Sequence, residues 1–99
     1  MTSVTPLTAA ELNAALTQLP DWSVRDGKLH AEFRFADFVA AFAFMTKVAF
    51  AAEAAGHHPE WFNVYNRVHI DLVTHDAGNA ISHKDIELAQ TVSKLAVGG

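Results

Sequence analysis

Apolar residues in this chain recur with two different periods, and the switches between them mark the elements. Leu12, Ala15, Leu16 and Leu19 follow one another at helical spacing. Thr8-Ala9-Ala10-Glu11 ahead of them reads as a capping box, and Pro20 stops the helix. Leu29, Ala31, Phe33 and Phe35 then alternate with His30, Glu32 and Arg34, which predicts a strand with one buried and one wet face. Trp22 to Val24 pairs with it around an Asp26-Gly27 turn. Phe38, Phe42, Met45, Ala49 and Ala52 return to helical spacing as one stripe, widened by Phe44 and Val48. Asp37 is the expected N-cap of this helix, which runs to about Ala55, and Gly56 its left-handed C-terminal cap.

Aromatic and β-branched residues dominate the stretch from Glu60 to Val73, which predicts a second hairpin. Asn66-Arg67 is the expected turn, so Tyr65 pairs with Val68 and position 58 falls opposite position 75. Asp76 to Asn79 is a loop by composition. Ser82-His83-Lys84-Asp85 is a second capping box, opening a helix that carries Ile86, Leu88, Ala89, Val92, Leu95 and Ala96. Helix, hairpin, helix, hairpin, helix is an α+β order. It predicts one four-stranded antiparallel sheet with three helices packed on one face. The 99 residues form a single domain, 1–99.

Composition narrows the possibilities. A net charge of −4 and a pI near 5.8 argue against a nucleic-acid ligand. The absence of cysteine removes disulfides and thiolate chemistry. Met1 to Leu7 lacks the basic-then-apolar pattern of a signal peptide, so a cytoplasmic location is expected. Phe38 to Ala55 is the most apolar stretch; Thr46, Lys47 and Glu53 interrupt it, so it reads as a buried helix and not as a membrane span.

The chemistry lies at the open end of the second hairpin. His57-His58-Pro59 stands at one side and Thr74-His75-Asp76 at the other. Opposite residues of an antiparallel pair have Cβ atoms roughly 5 Å apart, so His58 and His75 would meet with His57 beside them. Histidine can give or take a proton near neutral pH. Taken singly, each is most simply a polar helix exit or strand end; their convergence is what favours a proton-transfer site. Glu53, one helical turn before His57, either orients an imidazole or faces solvent. His69 is expected on the wet or subunit-facing side, and His30 and His83 in solvent. Adjacent His57 and His58 diverge on extended backbone, and no His-x-His spacing occurs, so no metal is expected.

At these residues the chain resembles the pterin-4a-carbinolamine dehydratases, also known in mammals as the dimerisation cofactor of hepatocyte nuclear factor 1. The likeness lies in Glu53-x-x-x-His57-His58-Pro59-Glu60-Trp61-Phe62-Asn63-Val64-Tyr65-Asn66, Thr74-His75, Phe33-x-Phe35-x-Asp37-Phe38 and Asp85-x-x-Leu88-Ala89, and it covers about Trp22 to Val97. It implies dehydration of 4a-hydroxytetrahydropterin to the quinonoid dihydropterin, recycling the cofactor of aromatic amino acid hydroxylases, with no cofactor of its own. It also implies a homodimer or homotetramer. The resemblance places catalytic histidines at His57, His58 and His75. Pterin contacts fall at Gly56 to His58 and at Val73, Thr74, His75 and Asp76, with Glu53 and Asp85 as supporting carboxylates. His58 and His75 are the expected acid/base pair, in either order, with His57 positioning the pterin. Mammalian relatives carry an aspartate where Gly56 stands, and the loop from His75 to Asp85 is one residue longer here.

Two other classes compete. A dimerisation or regulatory binding protein would need an exposed apolar face, for which Phe38 to Ala55 is the place. A histidine metal-binding protein would retain zinc or copper. Assembly is expected because half of a small chain is apolar, with the strand from Val68 to Thr74 as a free edge or the last helix in the contact.

Overall fold

The computed structural model describes residues 4–98. In chain order they form α1 (Ala9–Leu16), β1 (Trp22–Arg25), β2 (Lys28–Arg34), α2 (Phe38–Ala55), β3 (Glu60–Val64), β4 (Arg67–Leu72) and α3 (His83–Gly98). The strands make one antiparallel sheet in the order β1-β2-β4-β3, and the fold is α+β. Local chemistry sets the boundaries. At α1, Thr8 Oγ1 accepts the Glu11 N–H at 3.1 Å and the Glu11 carboxylate accepts the Thr8 N–H at 2.8 Å. At α2, Asp37 Oδ1 accepts the Ala40 N–H, and Gly56 ends the helix in the left-handed conformation at φ 63°. Asp26 and Gly27 both take positive φ in the first hairpin turn, as a two-residue loop between twisted strands requires.

One face of the sheet is the core. Leu29 and Ala31 of β2 and Val68, Ile70 and Leu72 of β4 are buried against Phe44, Val48 and Ala52 of α2 and Leu88, Ala89 and Val92 of α3. Leu12 and Leu16 of α1 pack at the margin of the same cluster. Trp22 closes one end; its indole N–H donates to Ser93 Oγ at 2.8 Å. Full burial of a side chain such as Ile70 or Leu72 stabilises the fold by about 1.5–3 kcal/mol.

Four details differ from the sequence expectation. The first is the buried stripe of α2, which runs through Ala41, Phe44, Val48 and Ala52, while Phe38, Val39, Phe42 and Phe50 are exposed. This helix is apolar around most of its circumference, so the pattern cannot say which side the sheet takes; small alanines allow the closer approach. By length and mean hydropathy (1.5) α2 could cross a bilayer, yet its inner stripe is part of the core.

The second is the hairpin turn, which lies at Tyr65-Asn66, with Val64 paired to Arg67. Tyr65 takes the left-handed position at φ 50°. Asn66 is used elsewhere: its side-chain amide donates to the Phe35 carbonyl at 3.0 Å, and its own carbonyl accepts the Phe35 N–H at 2.8 Å. Partners across the hairpin shift by two positions, so the inward face is kept. The ladder begins at Glu60↔Asp71, and positions 58 and 75 lie beyond it, not opposite each other.

The third is β4, which is central and not a free edge; β1 and β3 are the edges. The fourth is His30, which is not solvated. It is only 8% exposed, with Nδ1 at 2.8 Å from Asp71 Oδ1 and Nε2 at 3.1 Å from Glu32 Oε2. Strand alternation correctly puts it on the face away from the helices. Only the β2–β4 pairing reveals that Asp71 stands directly opposite.

Candidate active site

The link from α2 to β3, the segment after β4 and the start of α3 converge around one cavity of about 250 Å³. Gly56, His57, His58, Val73, Thr74, His75, Asp76 and Lys84 line it. All seven residues expected from sequence to surround the ligand are therefore in one place, though not through strand pairing. Gly56 turns the chain out of α2, so His57 and His58 leave the helix toward the sheet end. On the other side the chain leaves β4 and enters a short 3₁₀ turn, His75–Ala77. Thr74 pairs with Ala80, its N–H donating to the Ala80 carbonyl at 2.9 Å. That bridge folds the 75–80 loop back on itself and holds His75 at the cavity.

Asp85 organises the site from below. It is fully buried in the first turn of α3. Its Oδ2 accepts the Thr74 hydroxyl at 2.7 Å and the Ser82 N–H at 2.9 Å, and its Oδ1 meets His57 Nε2 at 2.5 Å. Because Thr74 donates to Asp85, the Ser82 hydroxyl is the donor in the 2.6 Å Thr74–Ser82 contact. Ser82 Oγ in turn accepts the N–H of Lys84, not that of Asp85 as a full capping box would have it. A buried carboxylate is tolerated when several donors satisfy it, and here three do.

Each of the three imidazoles has one nitrogen tied by a neighbouring acceptor. His57 Nε2 meets Asp85, His58 Nε2 meets Glu53 Oε1 at 2.8 Å, and His75 Nδ1 meets Asn79 Oδ1 at 3.2 Å. In the neutral ring these contacts fix the tautomer. The basic nitrogen is then Nδ1 of His57, Nδ1 of His58 and Nε2 of His75. Glu53 thus orients an imidazole, but that of His58 across the Gly56 turn rather than that of His57. His58 and Glu53 are largely solvent-exposed, whereas His57 is mostly covered. His69 lies on the opposite sheet face, edge-on to His30, and His83 is exposed at the start of α3; neither joins this cavity. Among the described residues, no cluster of three or more His, Asp or Glu side chains is placed to hold a metal ion.

Lys84 and Asn79 escaped the sequence reading. For Lys84 a signal exists: a cation in the first turn of a helix opposes the helix dipole, so its presence at that position asks for another reason. Nothing local in the sequence singles out Asn79, which takes positive φ (60°) in the loop.

Fold and site define an α+β protein with an open cleft whose three tautomer-fixed imidazoles can move protons. Residues 5–95 match the family described as pterin 4 alpha carbinolamine dehydratase, and the chain belongs to that family. It is an enzyme of the hydro-lyase class, a dehydratase of pterin metabolism. Among its relatives, a pterin-4-alpha-carbinolamine dehydratase of Solibacter usitatus is 55% identical, with 95% of this chain and 98% of that protein covered. One from Rhizorhabdus wittichii is 53% identical, with the same coverage. A crystal structure of a transcriptional coactivator/pterin dehydratase from Brucella melitensis superposes with a TM-score of 0.88 at 42% identity. The alignment covers 93% of this chain and 99% of that one.

Proposed function

We propose that the cavity binds a 4a-hydroxytetrahydropterin and that its histidines remove water from it by acid/base catalysis. The observation that carries this reading is the set of three imidazoles around one small cavity, each with one nitrogen fixed and one left to act. Loss of water from the carbinolamine breaks the C4a–O bond. A proton goes to the departing oxygen, the N5 lone pair forms the C4a=N5 bond, and the N5 proton is taken up by a base. One imidazolium and one neutral imidazole supply both transfers and exchange roles over the cycle, so no cofactor is consumed. His58 and His75 are the acid/base pair in this scheme. His57, locked to buried Asp85, positions the ring. The product would re-enter the cofactor cycle of aromatic amino acid hydroxylases.

Turnover of a synthetic 4a-hydroxytetrahydropterin tests the scheme. His58→Ala and His75→Ala should each lower the rate on the order of 100-fold or more, the range of general acid–base groups. Near-normal rates in both variants would refute it. A second reading, a binding protein acting alongside catalysis, is favoured by one observation: the exposed apolar face of α2 formed by Phe38, Val39, Phe42 and Phe50.

A further inference from the structure

We propose that the ligand cavity continues past His57 and Lys84 into the groove between α2 and α3, and that this groove receives an extended hydroxylated substituent of the pterin. The inference rests on the dehydratase reading above and concerns which pterins the site selects.

Two observations lead to it. The cavity at the histidines, about 250 Å³, is smaller than the roughly 300–1,000 Å³ of pockets that enclose a drug-sized ligand. It has room for a compact ring system but little for a long side chain. A second cavity, of about 370 Å³, adjoins it, and His57 and Lys84 form walls of both. A substituent leaving the ring on that side meets the second cavity at once.

The groove's chemistry sets the class of substituent. Ala51 and Ala55 of α2 and Leu88 of α3 give it an apolar floor. His83, Glu87 and Thr91 stand at successive four-residue steps on one face of α3 and give it a polar rim beside Lys84. Glu87 is an acceptor and Lys84 a donor. The Thr91 hydroxyl, which donates to the Glu87 carbonyl at 3.3 Å, keeps its lone pairs for a ligand. Lys84 and Glu87 carry opposite charges, so the rim suits neither a phosphate nor an ammonium group. A polyhydroxyalkyl or glycosyl chain offers alternating donors and acceptors to such a rim, and C–H surface to the alanine floor. This also gives Lys84 a role that helix stability would not select.

Binding of two oxidised pterins to the intact protein decides the matter: 6-methylpterin, and a pterin whose C6 chain is a glycosylated polyol. Their dissociation constants are read by fluorescence quenching. The wild-type protein should bind the long-chain pterin about tenfold more tightly, the equivalent of roughly one or two added hydrogen bonds. In Thr91→Trp, which fills the groove, the ratio of the two constants should fall to about one. Glu87→Ala, a truncation at an exposed site, should reduce the ratio as well, and it serves if the tryptophan variant does not fold. Equal affinities in the wild type, or a ratio that survives both substitutions, would overturn the groove assignment. Failure of the wild type to turn over a 6-methyl carbinolamine would count instead against the dehydratase chemistry.

Discussion

His57 Nε2 and Asp85 Oδ1 meet at 2.5 Å across the cleft between the end of α2 and the start of α3, and Asp85 has no solvent exposure. One carboxylate thereby fixes the tautomer of an imidazole at the cavity and ties Thr74 and Ser82 to the same point.

Replacing Asp85 should therefore affect stability and rate differently according to shape. Asp85→Ala leaves buried donors on Thr74 and Ser82 without a partner and should cost roughly 3 kcal/mol. A fall in Tm of about 10 °C or more would register it. Asp85→Asn keeps the volume but cannot accept all three donors. It should fold, with kcat lowered about 10- to 100-fold through a misplaced His57. Thermal melts and single-turnover rates on both variants check the pair.

Substituting Gly56 isolates a backbone effect. A Cβ at Gly56 would meet nothing within 4 Å, but its φ of 63° is left-handed. Gly56→Ala should lose about 1–2 kcal/mol from conformation alone. Gly56→Asn should lose less, because asparagine tolerates that region. Urea denaturation midpoints of the two variants give the comparison, and equal losses would contradict it.

His30 should make stability depend on pH. Burial opposes its charge, but the hydrogen bonds its ring N–H groups donate to the Glu32 and Asp71 carboxylates outweigh burial and raise its pKa above 6.5. A raised folded pKa stabilises the fold fully below the unfolded value, and the contribution is lost as pH rises through the folded pKa. Glu32 is shifted the other way: its bond to His30, then the charge of His69, lowers its pKa below 4.5, so its contribution is lost as pH falls. The pairing should be complete between these two values. Melting curves from pH 5 to 9 should show a loss of stability on the alkaline side of 6.5 that His30→Gln removes. An unchanged profile in that variant would refute the assignment.

Assembly should depend on the uncovered side of α2. Val39 and Phe50 are 75% and 76% exposed, more apolar surface on one helix than a monomer usually shows to water. Light scattering at micromolar concentration should give a multiple of 10.7 kDa, and Val39→Glu with Phe50→Glu should return it to the single-chain mass. A wild-type mass of 10.7 kDa would refute the expectation.

What the sequence made legible was local chemistry. Thr8, Asp37 and Gly56 mark helix limits because capping needs only neighbours in the chain. The cavity residues from Gly56 to His58 and Val73 to Asp76 were legible because two short segments flank one hairpin. Asparagine, the usual occupant of positive φ, points to a turn at Asn66-Arg67, but Asn66 is claimed by Phe35, just past the end of β2 and far along the chain. The same limit hid His30, whose partner Asp71 is known only from strand order. Which side of α2 is buried could not be read either, since Phe42 and Phe44 are equally apolar and only the sheet distinguishes them.

The strand order has a kinetic consequence. Each hairpin closes over two residues, but the central β2–β4 ladder joins strands separated by the whole of α2 and β3. Closing that chain segment costs entropy before any pairing compensates it. The long-range ladder is thus the expected rate-limiting search in folding. Changes that stiffen or pre-form α2 should speed the folding arm of a chevron plot more than equal stabilisation within either hairpin.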